Sequence, residues 1–380
     1  MQVYNIDKIK KNIELDLQNR KLNNKKGYLN QYNLYKKNNL DYFNEIIAKR
    51  LEDKDLKKIN NKFKTVENRL FKYNIFNNCN FTDIKFYKCK FMGNKFNNCK
   101  FENVSFEECD FYTVEDDISI FNNKTSFRNS YFKNCNLEKS VFQDINLDNI
   151  HFINNNMKNI IFNNVCIDNI CICDCDFRSL KIINSDIIGL KFNDSFLTKF
   201  DENTFIDEVK LNKKCKKTYE EAFKVYREFA IKFEANRLID YSGEYYYKSK
   251  VIENKYLSGN KKIKLYIHWL LCGYGERPTY ALITSIEIVL IFAIIYMITG
   301  LNIGGYIIDY NVILNFGLTM PNLIPNFMKS LYFSIVTFTT VGYGDITPVG
   351  ISVFLSGIEM LLGVTMVGIW TATLARKITR

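Results

Sequence analysis

The string TTVGYGD, Thr339 to Asp345, holds the residues of this 380-residue chain best suited to chemistry done by the backbone itself. Gly342 and Gly344 reach backbone conformations closed to other residues, so successive carbonyls can all point to one side. A ring of such carbonyls can take the place of the water shell of an ion. The tripeptide also occurs as Gly273, Tyr274 and Gly275. A Gly-aromatic-Gly string by itself reads as a turn, so the surroundings must separate the two copies.

Only the second copy has elements around it that could hold an ion path. Thr279–Leu301 is an apolar stretch broken by one acid, Glu287, and Val349–Ala375 is a second one holding only Glu359 before its end. A helix needs roughly 20 apolar residues to cross the hydrocarbon core, so two spans are expected at 279–301 and 349–375. Between them, 326–338 is too short to cross. It suits a re-entrant helix enclosed by protein, its first turn set by Pro325, and its C-terminal end carries the partial negative charge that favours a cation. Lys261, Lys262, Lys264 and Arg277 precede the first span, and Arg376, Lys377 and Arg380 follow the second. That bias places both termini in the cytoplasm. The 11 cysteines are then expected as thiols.

SLYFSIVTFTTVGYGD, with a span on either side, resembles the pore helix and selectivity filter of two-transmembrane potassium channels, and the resemblance covers residues 278–380. It implies that Thr340, Val341, Gly342, Tyr343 and Gly344 form the K⁺ filter. Carbonyls of Thr340 to Tyr343 and the Thr340 hydroxyl would bind the ion, and Gly344 and Asp345 would close the outer mouth. Tyr332 and Phe333 match the aromatic support of the filter, Gly363 matches a gating hinge, and Gly368 is a weaker hinge position. Val336 stands where some members place a carboxylate. One chain supplies one filter strand, so a homotetramer in a lipid membrane is implied. Glu287 and Glu359, costly inside a bilayer, are expected to face protein, the cavity or each other.

The other motif is a repeat. Phe recurs at 76, 81, 86, 91, 96, 101, 106 and 111, and after the interruption YTVEDDISIFNNKTS the register slips by one. Large apolar residues then occupy every fifth position from Phe127 to Leu197. A period of five fits neither an α-helix nor a flat strand and marks a solenoid. It resembles pentapeptide-repeat proteins, which implies a right-handed quadrilateral β-helix whose inward positions two before the central one include Cys79, Ile84, Cys89, Cys99, Val104 and Cys109. About six coils at a strand spacing of ~4.8 Å give a rod of roughly 30 Å. The interruption, with Glu115, Asp116 and Asp117, reads as a solvated loop. Cys171, Cys173 and Cys175 do not read as a zinc site.

The expected organisation is therefore a multidomain membrane protein with a cytoplasmic β-helix, flanking helices and an α-helical pore. Residues 1–70 form a basic helical segment, in which Ile46, Ile47, Leu51, Leu56, Ile59, Phe63 and Val66 suggest an amphipathic helix. Residues 71–200 form the solenoid, 201–216 a linker and 217–258 a helical hairpin. Residues 259–277 form an interfacial helix whose GYG makes the turn before Pro278, and 278–380 the pore, with the filter at 340–345. No cofactor and no catalytic constellation is indicated, only K⁺ as permeant ion. A non-selective cation channel is the nearest alternative. A membrane-tethered interaction protein that mimics nucleic acid would need a strongly acidic rod, yet residues 71–200 hold 15 basic and 16 acidic side chains. No nucleic-acid partner is expected. A cytoplasmic ligand or protein partner of the solenoid is left open.

Overall fold

The computed structural model describes residues 6–38, 45–47, 50–52, 55–56, 64–112, 118–211, 215–310 and 323–378. Two units emerge, Met1–Tyr256 and Leu257–Arg380.

The first unit is a parallel β-solenoid. Its strands are mostly three residues long and stack on strands one coil away; one ladder holds eight strands and another ten. Every central Phe lies over the equivalent residue of the next coil. Phe76, Phe96, Phe121 and Phe142 form one such stack, with centroids 4.7 to 4.8 Å apart. Phe71, Phe91 and Phe111 lie in a second column, and Phe86, Phe106, Phe132 and Phe152 in a third. All these rings are below a tenth exposed. Each fully buried aromatic side chain contributes on the order of 1.5–3 kcal/mol, and the side chains lie too close to admit water.

The corners explain the other residues of the repeat. Asn78, Asn98, Asn103, Asn134, Asn149, Asn154, Asn164 and Asn169 all have φ between 49° and 54°. Asn tolerates this left-handed region better than most residues. Their amides also form ladders along the rod: Asn98 donates to Asn78 at 2.9 Å, Asn154 to Asn134 at 2.9 Å and Asn169 to Asn149 at 3.0 Å, each across one coil of 20 residues. The inward position two before the central residue takes a small donor. Cys99 donates to the Phe76 carbonyl, Cys109 to Phe86, Asn94 to Phe71 and Asn155 to Phe132. Buried carbonyls at the bends are thereby satisfied. Burial pushes the Cys99 and Cys175 thiols up to about 12, as expected of inert core sulfur. Among the described residues no group of His, Cys, Asp and Glu could hold a metal.

The solenoid is longer than the Phe period suggests. The described residues of 45–67 form strands and not an amphipathic helix: Ile46, Leu51 and Leu56 pair in parallel with Phe71, Phe76 and Phe81, and Val66 with Phe86. Spacing of five at 46, 51, 56 and 66 is the repeat itself, and an open ladder beside it offers backbone partners that a lone amphipathic helix lacks. Ile59 and Phe63 lie outside the described residues. The helical part of the N-terminal segment is α1, Ile6–Asn38.

The interruption is also shorter than expected. Phe121 is fully buried between Phe96 and Phe142, so the repeat runs through it. The one-residue slip falls at Asn123 and Lys124, both left-handed at φ 52° and 65°. Glu115, Asp116 and Asp117 lie outside the described residues. In the final coil Leu197 does not continue the core stack: Phe200 lies against Phe177 instead, and Phe196 is 91% exposed.

Two features close the rod. Helix α1 docks along one side, its Ile13 and Leu17 packing on Ile118, Ile120, Val141, Ile161 and Ile183. Arg20 donates to the Lys139 and Asn159 carbonyls of successive coils, both at 2.7 Å, and Asn24 donates to the Gly93 and Ile118 carbonyls. At the C-terminal end sits a hairpin of α2, Lys216–Ala235, and α3, Ile239–Tyr256. Phe229 and Phe233 pack on Phe200, the Tyr245 hydroxyl donates to the Ile206 carbonyl at 3.0 Å, and Lys232 pairs with Asp194 at 2.7 Å. A solenoid end needs such a cap because its last coil has no neighbour to bury it.

Candidate ion-conduction site

In the second unit, α4, Asn260–Cys272, runs into a turn at Gly273–Gly275 and then α5, Pro278–Thr299, with Pro at its first turn. The first GYG therefore is a turn: Gly273, Tyr274 and Gly275 take φ of 51°, 60° and 83°. The turn is tied to its surroundings by the Thr284 hydroxyl, which donates to the Leu270 carbonyl at 2.8 Å, and by a Glu276–Arg376 ion pair at 3.1 Å. Helix α6 is Leu323–Phe338 and α7 is Ser352–Ile378. Helices α5 and α7 are long and apolar enough to cross a membrane, with mean hydropathies of 2.5 and 1.8. Helix α6 has 16 residues, about 24 Å at 1.5 Å per residue, which falls short of the hydrocarbon core.

The second GYG comes directly after α6. Thr340, Gly342 and Gly344 have φ of 59°, 59° and 78°, while Val341 and Tyr343 are not left-handed. In an extended strand successive carbonyls alternate in direction; alternation of the sign of φ cancels that and turns them the same way. The Val341 and Gly342 amides both point back at the Val336 carbonyl, at 3.0 and 3.4 Å. Backbone, not a side-chain acid, thus braces the strand from α6. The Thr340 hydroxyl donates to the Thr339 carbonyl at 2.7 Å.

Beyond this string the chain enters a three-stranded antiparallel sheet of Leu301–Ile303, Tyr306–Ile308 and Ile346–Pro348. Ile303 faces Ile346 and Leu301 faces Pro348 in register. The exit from the string is therefore stitched to the end of α5. Sequence reasoning missed this sheet because its strands are short and two of them hold Gly and Pro neighbours that read as loop.

The aromatic pair after Leu331 divides. Phe333 is 7% exposed and packs edge-on against Tyr296 at 4.9 Å, whereas Tyr332 is exposed and interacts with Asp345. Glu359 is fully buried: the Tyr296 hydroxyl donates to it at 2.6 Å, and so does the Ser334 hydroxyl. Glu287 instead lies on the exposed stripe of α5 and does not meet Glu359. Gly363 sits where a Cβ would run into the Phe338 carbonyl, so α7 and the end of α6 touch backbone to backbone there. Gly368 has open space around it.

Residues 286–380 match the family described as ion channel. Residues 76–115 and 130–169 match two families of pentapeptide repeats, of 9 and 8 copies. No curated protein matches the chain in sequence. Among solved structures the chain is similar to full-length QnrB1, a plasmid-mediated fluoroquinolone resistance protein, at 14% identity over 39% of this chain and 93% of that one, with a TM-score of 0.17. It is also similar to HetL, a pentapeptide repeat protein involved in heterocyst differentiation regulation from the cyanobacterium Nostoc sp. strain PCC 7120. That match has 9% identity over 41% of this chain and 84% of that one, with a TM-score of 0.17. The chain joins a pentapeptide-repeat β-solenoid to a two-helix ion-channel domain.

Proposed function

We propose that four copies of this chain form a potassium-selective channel that conducts K⁺ passively and is modulated through the solenoid, with both termini cytoplasmic. The observation that carries this reading is the backbone of Thr340–Gly344, whose left-handed residues alternate with ordinary ones while its side chains stay exposed. Such a strand has acceptors for a dehydrated cation only when equivalent strands from other copies surround the same axis. Thr340, Val341, Gly342 and Tyr343 then coordinate K⁺, Gly344 and Asp345 complete the outer mouth, and Tyr332 supports it. Gly363 and Gly368 are where α7 would bend.

Purified protein in bilayers with K⁺ on one side and Na⁺ on the other should give reversal potentials strongly favouring K⁺. In detergent its mass should be near four chains. Equal permeability to both ions would sink the selectivity assignment, and a selective monomer or dimer would sink the assembly. Deleting residues 1–200 should shift open probability and leave the reversal potential unchanged. A well-assembled truncated channel that gates like the full chain would make the solenoid a docking device.

A further inference from the structure

We infer that Glu359 is a positioning residue for the filter, acting through Ser334, and that it sets ion selectivity and the lifetime of the conducting state without touching the ion. This deepens the potassium-channel reading and rests on it. A carboxyl group in the middle of an apolar span is costly to bury, and Glu359 is fully buried within a single chain. Its partners come from two neighbouring helices: Tyr296 of α5 and Ser334 of α6 each donate to one of its oxygens. The Ser334 oxygen also stands 2.9 Å from the Val289 carbonyl of α5. One group therefore fixes α6 against α5 and α7 at the same level.

The residues just after Ser334 give this fixing its consequence. Two residues on, the Val336 carbonyl receives the amides of Val341 and Gly342. Four residues on, the Phe338 carbonyl rests against Gly363, which lies one helical turn after Glu359 on α7. A shift of Ser334 along or around α6 thus moves the acceptor that holds the filter strand. A purely space-filling side chain at 359 would leave Ser334 tied only to the Val289 carbonyl of α5 and no longer to α7, and would leave the Tyr296 hydroxyl to find another partner in an apolar setting. The aromatic contact between Tyr296 and Phe333 holds the same pair of helices by packing alone, so the fold does not depend on Glu359 by itself.

The test is single-channel recording of the full chain carrying Glu359→Leu, Glu359→Gln, Ser334→Ala or Tyr296→Phe, each checked for tetramer mass. Glu359→Leu should lower the K⁺-over-Na⁺ permeability ratio and the mean open time by about tenfold, the scale of one lost hydrogen bond. Ser334→Ala should do the same by a smaller factor. Glu359→Gln should restore both, because its amide accepts from Tyr296 and can donate to Ser334. Tyr296→Phe, which spares the Ser334 link, should change open time more than the permeability ratio. Should Glu359→Leu fail to assemble, Ser334→Ala, the smaller change, still decides the matter. Assembled Ser334→Ala channels with unchanged ratio and open time would overturn the inference, as would a Gln variant no better than Leu. An unmodified channel that does not prefer K⁺ would instead overturn the reading on which it rests.

Discussion

The solenoid and the pore unit solve opposite problems. Phe121 in the solenoid is fully buried by residues of its own chain, whereas Val341 and Tyr343 in the filter string are 53% and 71% exposed. In the solenoid each coil is covered by the next, one side is covered by α1, and the C-terminal end by the α2–α3 hairpin. In the second unit the apolar faces of α5 and α7 and the string itself are exposed among the described residues. Repetition along a sequence supplies partners for one region; for the other, the proposed channel would take them from lipid and from copies of itself. The solenoid can thus be damaged or improved without reference to the filter, and the reverse.

The sharpest way to break that separation is a pair of substitutions. Gly344→Ala places a Cβ on a residue at φ 78° and should abolish K⁺ current while leaving the melting of the first unit unchanged. Phe101→Ala removes a ring stacked between Phe81 and Phe127 at 4.6 and 4.4 Å. It should lower solenoid stability by about 3–5 kcal/mol and leave reversal potentials where they were. Calorimetry together with bilayer recording on both variants checks the pair. A selectivity change in Phe101→Ala would show that the two regions are not separable.

Legibility in the sequence divides along the same line. The Phe spacing exposed the solenoid because a five-residue period suits neither a helix nor a flat strand, and the glycines of the string at Thr340 made its left-handed backbone legible. The first coil escaped because Ile46, Leu51, Leu56 and Val66 also satisfy a loose helical spacing; only pairing with Phe71–Phe86 decides between them. Phe121 keeps the five-residue spacing from Phe111 and escaped because the position between them is Asp116, not an apolar residue. The docking of α1 does leave a trace: Ile120, Val141 and Ile161 are apolar at the outward position just before the central residue, where most coils carry polar side chains. The clamp at Glu359 could be guessed only as far as hydrogen bonding to protein, because its donors are 63 and 25 residues away.

If α1 belongs to the solenoid side of the comparison, its loss should be felt there alone. Arg20→Ala deletes two hydrogen bonds from a charged group to the Lys139 and Asn159 carbonyls, at a cost of about 2–3 kcal/mol. Hydrogen exchange in 6–30 should rise by about 30- to 150-fold, with the α2–α3 hairpin unaffected. Unchanged protection of α1 would mean that Ile13 and Leu17 alone hold it.

The Glu276–Arg376 pair sharpens the comparison on the pore side, since it joins the turn before α5 to the end of α7. Arg376 is about half exposed, so the pair is worth roughly 0.2–1 kcal/mol. Arg376→Glu should change open probability a few-fold without altering selectivity, and adding Glu276→Arg should bring it back towards the original value. Recording the single and double variants side by side is the check; a double variant no closer to the original than the single would remove the pair from any part in gating.

The smallest expected effect concerns the solenoid's C-terminal cap. Burial works against a charge on Asp194, but its hydrogen bonds with Lys232 and Thr198 prevail and hold its carboxyl below the usual carboxylate range. A carboxyl depressed in the folded state stabilises the fold above its unfolded value, about 3.9, and that contribution is lost as pH falls through the lower folded value. Docking of α2 on the last coil should therefore weaken on acidification below about pH 4, and should not weaken as pH rises from 5 to 8. Asp194→Asn keeps an acceptor for Thr198 but loses the charge facing Lys232, so it should lower the melting temperature at pH 7 and flatten the acid limb. Thermal melts of the wild-type and Asn variants between pH 3 and 8 decide the point. Parallel acid limbs in the two proteins would show that other carboxylates, not Asp194, govern the acid sensitivity of the cap.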